Sequence, residues 1–486
     1  MLKVDPRQAY PLHGCQASRH IELALQSTLP PHALMQRAGL SLAKLALAIA
    51  PHARHIWIAC GPGNNGGDGL EAAMQLQRLN KAPVVTWLGQ PDTAPPDALA
   101  SYQRARDAGV QFTSTPPENV DLGLDAMLGL GMNLRQPEGQ LAQWINTMNA
   151  SASIILSADL PTGLHGDSGQ LGTPFVNASH TLSLLTLKPG LFTAHGRDAA
   201  GSVWFDDLGS GLEKAGPLPY PATAWLSGAS PQPERAPSSH KGSFGDVAIV
   251  GGAVGMTGAA LLAASAALHA GAGRVYVSLL DSGSLKVDLL QPELMFRPFE
   301  LLNQTSTTLV CGCGGGLVVG DLLPQVLSTP APLVLDADAL NAIARESALD
   351  ERLVARAASG FQTVITPHPL EAARLLGLTT TQIQNNRLQA ATQLAQRLRC
   401  TVVLKGSGTV IAALGRTPVI NSTGNARLAT AGTGDVLAGL VGAKLAGGHN
   451  AFEAACQACY QHGALADHWP MQHALTASAL AKALKA

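Results

Sequence analysis

The stretch Gly61-Pro62-Gly63-Asn64-Asn65-Gly66-Gly67-Asp68-Gly69 follows an apolar run and holds five glycines in nine residues. Such a turn exposes backbone N–H groups that can cradle a phosphate or another polar ligand at a helix start. Asn64, Asn65 and Asp68 add side-chain oxygens that could hold a hard cation. Gly61, Gly63 and Gly66 also match a dinucleotide fingerprint, but two details argue against it. Asp68 would bring a carboxylate close to a pyrophosphate, and the next strand ends Trp87-Leu88-Gly89-Gln90 without the acid that reads a ribose. A turn merely rich in Gly and Asn, residues that also cap helices, stays open. Two further acids end apolar runs: Asp125, before Ala126-Met127-Leu128-Gly129-Leu130-Gly131, and Asp159, before Leu160-Pro161-Thr162-Gly163. Open parallel sheets bind ligands at strand carboxyl ends, so these acids could converge with the glycine stretch. Taken singly, either could be a turn cap.

The second half carries its own set. Ala431-Gly432-Thr433-Gly434-Asp435 precedes an apolar helix, whose first N–H groups would face an anion with Asp435 beside it as acid or base. Lys405-Gly406-Ser407-Gly408-Thr409 forms a strand-to-turn element able to meet a nucleotide. Either turn alone could be an ordinary α/β connection. His368, between two prolines in Thr366-Pro367-His368-Pro369-Leu370-Glu371, is rigidly presented, although a lone His is more often structural. Asp336 and Asp338 end another strand, and at most one is expected to reach a site directly. No G-x-x-x-x-G-K-[ST] run occurs, which excludes a P-loop. Cys456 and Cys459 lie in an apolar helix with no second pair to complete a zinc set, and read as buried small residues.

These residues need elements to position them. In the first half, strands are expected at 55–60, 83–88, 120–126, 153–158 and 180–187, with helices at 31–50, 70–79, 97–108 and 139–149. In the second half, strands are expected at 246–250, 274–280, 308–311, 332–335, 363–366 and 401–405. The helices there fall at 258–270, 370–376, 381–399, 435–446 and 451–468. Short apolar strands alternating with helices predict α/β architecture with mostly parallel sheets covered on both faces, once in each half. The halves, 1–215 and 237–486, are separated by a linker at 216–236; the stretch Gly209–Pro237 carries six prolines, which fix φ and remove donors.

Composition narrows the rest. The 486 residues are 46% hydrophobic and 13% charged, enough for more than one full core. Lys+Arg 32 against Asp+Glu 33 leaves a net charge of −1, so no basic field draws nucleic acid or anionic lipid. No apolar run reaches membrane-spanning length. Seven cysteines, an odd number scattered along the chain, point to reduced thiols and a cytoplasmic location.

The motifs carry a resemblance. Gly61 to Gly69, Asp125 to Gly129, Asp159 to Gly163 and Leu187-Lys188-Pro189-Gly190 resemble the NAD(P)H-hydrate epimerase family. That resemblance implies a Rossmann-like fold and a potassium ion held by Asn65, Asp125 and Thr162. Asn64, Asn65, Gly66, Gly67 and Asp68, with Gly129, Leu130, Gly131, Met132, Asn133, Leu134 and Arg135, would line the site of the hydrated dinucleotide. Asp159 would be the acid/base with Lys188 nearby. The spacing of Met132 to Arg135 and the residue Leu130 depart from the family pattern. The second set resembles the ADP-dependent NAD(P)H-hydrate dehydratases of the ribokinase-like superfamily. It rests on Ser239-His240-Lys241-Gly242, Met256 to Ala260, Leu335 to Leu340, the His368 segment, Lys405 to Thr409 and Gly432 to Asp435. By match, Ala259, Gly314, His368 and Asp435 would contact the hydrate, while Lys405, Gly406, Ser407, Gly408, Thr409 and Gly434 would hold the adenine nucleotide. Leu370 and the run Cys311 to Gly316 depart from that family.

The fused order resembles the bifunctional NAD(P)H-hydrate repair enzymes over nearly the whole chain. The implied activity restores NADH and NADPH from their hydrates. The first half would interconvert R and S epimers, and the second would dehydrate the S form at the expense of ADP with Mg2+, Asp435 taking the hydroxyl proton. A homo-oligomer is expected from the resemblance alone. The rivals are a small-alcohol kinase using Gly434 and Asp435, and a first half that serves only as a nucleotide-binding or scaffolding module.

Overall fold

Side chains in the strand Ile56–Cys60 alternate between two apolar environments. Ile56, Ile58 and Cys60 enter a core built with helices Ala33–Ile49 and Asn64–Arg78, while Trp57 and Ala59 enter another built with helix Gly139–Ser151. A strand apolar on both faces suits the middle of a parallel sheet with helices on either side. The protein, seen here in a computed structural model, is described over residues 1–131, 136–211, 220–231, 235–281 and 285–485. Two compact units emerge, Met1–Trp225 and Leu226–Ala486. Their division falls inside the proline-rich stretch, where Ala224–Leu226 forms a short strand rather than pure linker.

The first unit has an 8-stranded sheet. From edge to edge it runs Leu2–Lys3, Ser202–Asp206, His180–Leu184, Ala152–Ala158, Val120–Ala126, Ile56–Cys60, Pro83–Trp87 and Gln111–Thr113. Only the Leu2–Lys3 edge pairs antiparallel. The strand order reverses between Ile56–Cys60 and Val120–Ala126, so the chain leaves these neighbours in opposite directions. The second unit repeats the plan. Its strands run Met295–Phe296, Arg274–Leu279, Asp246–Gly251, Thr308–Cys311, Leu333–Leu335, Thr363–Ile365 and Thr401–Leu404, all parallel. Val410–Ala412 and Val419–Ile420 then add antiparallel. Here the order reverses between Asp246–Gly251 and Thr308–Cys311. Val247, Ile249, Val310, Val334 and Val364 pack against the Ala-rich helices Thr257–His269 and Thr433–Ala446.

Several elements differ from expectation. The first-unit helix begins at Asn64, not at residue 70, so the glycine stretch is mostly helix. Glycine is a poor helix former, but tertiary packing demands it here. A Cβ on Gly67 would lie 2.7 Å from the Met35 sulfur, and one on Gly69 2.6 Å from the Ala126 Cβ. Helix Cys15–Gln26 was not expected at all. The strand His180–Leu184 stops early, at Leu185 with φ +65°. The helix expected over 381–399 is two helices, Thr380–Asn385 and Arg387–Leu398. Asn386 leaves the helical conformation between them, and its side chain accepts from Gln389 N at 3.1 Å, capping the second. No helix of the described residues is long and apolar enough to cross a membrane.

Candidate active sites

In the first unit the reversal of strand order brings two turns face to face. Gly61 follows Ile56–Cys60, and Met127 follows Val120–Ala126. A Cβ on Gly61 would sit 1.7 Å from the Met127 carbonyl oxygen, and one on Gly66 2.0 Å from the Gly61 oxygen. Glycine alone permits this approach, which seats the start of helix Asn64–Arg78 against the neighbouring strand. Behind it Asp125 is fully buried. Its carboxylate accepts from Thr162 Oγ1 at 2.6 Å, Thr162 N at 2.8 Å, Ser157 Oγ at 2.8 Å and Met127 N at 3.2 Å. Thr162 Oγ1 in turn accepts from Leu128 N at 2.9 Å. All four donors to Asp125 are neutral, and burial raises its pKa against their pull. Asn65 lies beside Gly129, where a Cβ would be 3.0 Å from its Oδ1, and its amide nitrogen is buried without a partner. A carboxylate, a hydroxyl and an unsatisfied amide make an all-oxygen set suited to a hard cation once the Asn65 amide turns its oxygen inward.

A cavity of about 590 Å³ opens over these turns, and its wall includes Asn64, Asn65, Asp68, Gly129, Leu130, Gly131 and Asp159. Gly66 and Gly67 are not on that wall; they pack beneath it. Met132, Asn133, Leu134 and Arg135 lie outside the described residues. Asp159 holds φ +64°, a conformation rare for a residue with a Cβ, and its carboxylate pairs with the buried Lys188 ammonium. Lys188 also donates to the Leu184 carbonyl at 2.8 Å, and Leu184 N donates to Asp159 at 3.1 Å. Only Asp159 of this pair reaches the cavity; Lys188 stands behind it. Sequence reasoning missed the opposite wall, where helix Cys15–Gln26 contributes Ser18, Arg19, Glu22 and Gln26. Arg19 donates to the Leu130 carbonyl at 2.9 Å and steadies that turn. The spacing of Arg19, Glu22 and Gln26, three and four apart, was the available signal for a helical face. Burial pushes Asp68 well above the carboxylate range, with repulsion from Asp159 and Glu22 adding to it, and Glu22 rises for the same reasons.

The second unit gathers its groups at the carboxyl ends of its parallel strands. Asp435 lies in the first turn of helix Thr433–Ala446, which opens on Gly432 at φ +89°. Lys405, just past Thr401–Leu404, donates to Asp336 at 2.6 Å, and Asp336 also accepts from Thr366 Oγ1 at 2.7 Å. A Cβ on Gly434 would lie 3.4 Å from Lys405 Nζ, so this glycine keeps the ammonium close to the helix start. Burial raises Asp435 to about 6, with Asp336 adding repulsion while the Cys313 thiol, donating to Asp435, and Lys405 oppose the rise. Burial works against the charge on Lys405, yet Asp336 and Glu371 outweigh it and raise its pKa. Of these two acids, Asp336 enters the cluster, whereas Asp338 opens the next helix and accepts from Gly316 N at 2.9 Å. Ala259 and Gly314 are neighbours, a Cβ on Gly314 falling 2.9 Å from Ala259 Cβ.

His368 serves as a helix cap. Its Nδ1 accepts from Leu370 N at 3.1 Å and Glu371 N at 3.4 Å, while Glu371 accepts from His368 N at 2.8 Å. Its Nε2 lies 3.2 Å from Glu371 Oε1, and Lys405 N donates to Pro367 O at 2.9 Å, which ties this cap to the cluster. Gly406, Ser407, Gly408 and Thr409 form the connection between antiparallel strands Thr401–Leu404 and Val410–Ala412. The buried Arg387 guanidinium donates to the Leu404 and Lys405 carbonyls, both at 3.1 Å, and fixes the root of this hairpin. His462 contacts the Thr433 carbonyl through Nε2 at 2.9 Å; burial lowers it to about 4, so it is a neutral anchor for the Asp435 helix. Sequence reasoning weighed Cys311-x-Cys313 for a metal or redox role and set it aside for want of a second pair; the groups that Cys313 meets, Asp336 and Asp435, lie farther along the chain.

Comparison with known proteins follows the same division. A family model described as YjeF-related protein N-terminus matches residues 31–190, and one described as NAD(P)H-hydrate dehydratase matches residues 247–486. The bifunctional NAD(P)H-hydrate repair enzyme Nnr of Escherichia coli (strain K12) is 36% identical over 461 residues, covering 89% of this chain and 84% of that protein. The enzyme of the same name from Coxiella burnetii is 33% identical over 462 residues, covering 92% of each. A crystal structure of the ADP/ATP-dependent NAD(P)H-hydrate dehydratase of Bacillus subtilis, co-crystallised with ATP and Mg2+, is similar at 29% identity with a TM-score of 0.44. It covers 52% of this chain and 92% of that one.

Proposed function

This chain belongs to the family of bifunctional NAD(P)H-hydrate repair enzymes, and from that premise we propose which of its residues perform each of the two reactions. The enzyme restores NADH and NADPH from their hydrates. Its first unit is an epimerase acting on the R and S forms, and its second is a dehydratase. The observation that carries the assignment of residues is a repeated arrangement. Each unit holds an acid–lysine pair at strand carboxyl ends, Asp159 with the buried Lys188 and the buried Asp336 with the partly buried Lys405, the latter pair beside Asp435.

Hydration places a hydroxyl on the ring carbon beside the nitrogen. In the first unit Asp159 would pass a proton from the Lys188 ammonium to that hydroxyl as it leaves, and return it when water adds on the other face, the ring nitrogen carrying the positive charge in between. Lys188, behind Asp159, would hold the carboxylate in its strained orientation. Asn65, Asp125 and Thr162 would hold potassium, whose charge would offset the buried Asp125 carboxylate. In the second unit hydroxide is a poor leaving group, so the hydroxyl would first accept the terminal phosphoryl of ADP, releasing AMP, and then depart as phosphate to restore the ring. Asp435 would take the hydroxyl proton, and the N–H groups at Gly432 to Gly434 with Lys405 would stabilise the transferring charge. Magnesium would neutralise the phosphates. Lys405 to Thr409 would seat the nucleotide, and Ala259, Gly314 and His368 the hydrate. A homo-oligomer in the cytoplasm completes the reading; size-exclusion chromatography with light scattering checks the first part.

The experiment is recovery of dihydronicotinamide absorbance from mixed NADH-hydrate epimers, with and without ADP and magnesium. ADP-dependent recovery beyond the share of one epimer, faster than spontaneous exchange, is expected. Recovery halting at one epimer would return the first unit to the scaffold reading. A stable phosphorylated product would favour the kinase.

A further inference from the structure

We propose that Cys313, Asp336 and Asp435 form a binding site for a soft divalent cation of the zinc and cadmium class, and that filling it switches the second unit off. One ligand atom from each, the Cys313 sulfur and a carboxylate oxygen of each Asp, lie within 4.8 Å of one another. Tetrahedral zinc with bonds of about 2.0–2.3 Å sets its ligand atoms roughly 3.3–3.8 Å apart, so the group must close by about 1 Å; the larger cadmium ion asks for less. Among the described residues this is the one such group of three.

Three features favour a cation there. The ligand set is mixed: magnesium and calcium take oxygen alone, whereas a thiolate selects a softer ion. The sulfur is also held in place. Cys313 is fully buried, its carbonyl accepts from Gly252 N at 3.0 Å, and it is flanked by Gly312 at φ +116° and Gly314 at φ +58°. Finally, charge favours it. With the thiol ionised, the three ligand groups carry more negative charge than the ammonium of Lys405 offsets, and a dication reduces that excess. Without the ion the thiol keeps its proton and donates to Asp435. Binding therefore releases that proton to solvent, while sulfur and oxygen lone pairs fill the coordination positions. A remaining position is open to water or to an oxygen of a bound phosphate. The inhibitory half rests on Asp435 as the base: a carboxylate that shares its charge with a bound dication loses the basicity needed to take the hydroxyl proton.

The test titrates the full-length, metal-stripped enzyme with cadmium and follows the ultraviolet thiolate-to-cadmium charge-transfer band, with dehydration assayed in parallel. One equivalent should produce the band and abolish ADP-dependent dehydration, leaving epimer exchange intact. Cys313→Ser and Cys313→Ala should both lose the band, and their cadmium affinity should fall by more than about 100-fold, beyond the effect of losing an outer-shell partner. Cys456→Ser, a change at the partly exposed cysteine away from the cluster, should behave as the parent enzyme. A band undiminished in both Cys313 variants, or no band in the parent, overturns the site. A band without inhibition overturns the switch. If the parent enzyme shows the band but never dehydrates the hydrate, the proposed function fails while the site stands.

Discussion

Asp435 and Asp159 sit in different chemical settings, and that difference sets what each substitution should do. Asp435 is half-buried beside Asp336, and its ordinary carboxylate pKa rises to about 6, chiefly through burial. As a base it must be ionised, so dehydration should rise with pH through that value. In buffer scrubbed of soft metals, with magnesium restored, kcat/KM should drop about tenfold for each pH unit below about 6. A profile flat to pH 5 would remove Asp435 from the base role. Asp435→Asn should abolish dehydration while leaving epimer exchange at the parental rate, read by nuclear magnetic resonance of the two hydrates. Lys188 has a different task. It is buried and pairs with Asp159, so Lys188→Met leaves a buried carboxylate uncompensated and should destabilise the first unit by about 3 kcal/mol in urea unfolding. Adding Asp159→Asn should recover much of that loss; additive losses would mean the two side chains do not interact.

At the scale of elements, the contact between two turns decides whether the first site exists. Helix Asn64–Arg78 starts against the neighbouring strand because Gly61 and Gly66 leave no Cβ between backbones. Gly61→Ala and Gly66→Ala should each lower stability by about 3 kcal/mol or more, since the obstructing atoms are main chain and cannot rotate away. Gly63 is the control. Nothing stands within 4 Å of a Cβ there, so Gly63→Ala should change urea stability by no more than about 0.5 kcal/mol. Equal losses at all three positions would overturn the close-approach argument, because alanine is the better helix former and propensity alone predicts no loss. In the second unit the His368–Glu371 capping box plays the equivalent part, fixing the turn that follows Thr363–Ile365.

At the scale of the whole molecule, each unit has its own core and its own site, so the two activities should separate cleanly. A mixture of the Asp159→Asn and Asp435→Asn enzymes should consume both epimers, although neither variant does so alone faster than spontaneous exchange permits. Failure of the mixture, with both proteins folded, would require the two sites to be on one chain. Scanning calorimetry should likewise resolve two transitions, with ADP raising only one. At about 100 times its Kd a ligand adds about 2.7 kcal/mol to the unit that binds it.

The order of the chemistry was legible in the sequence because motifs and apolar runs are local. Asp125 and Asp159 at strand ends, Asp435 at a helix start, and Lys405 at the end of a strand all follow from apolar runs and glycine punctuation. So does the α/β architecture of both halves. Tertiary structure decided the rest. Only packing could turn the glycine stretch after Gly63 into helix, because local propensity opposes it and the compensating contacts, Met35, Ala98 and Ala126, come from distant segments. Only strand order could place the Asp125 turn against the Gly61 turn, bring helix Cys15–Gln26 over the same cavity, or set Cys313 beside Asp435. Those meetings join residues far apart along the chain, and no periodicity encodes them; they follow from which strands lie side by side and where the sheet reverses.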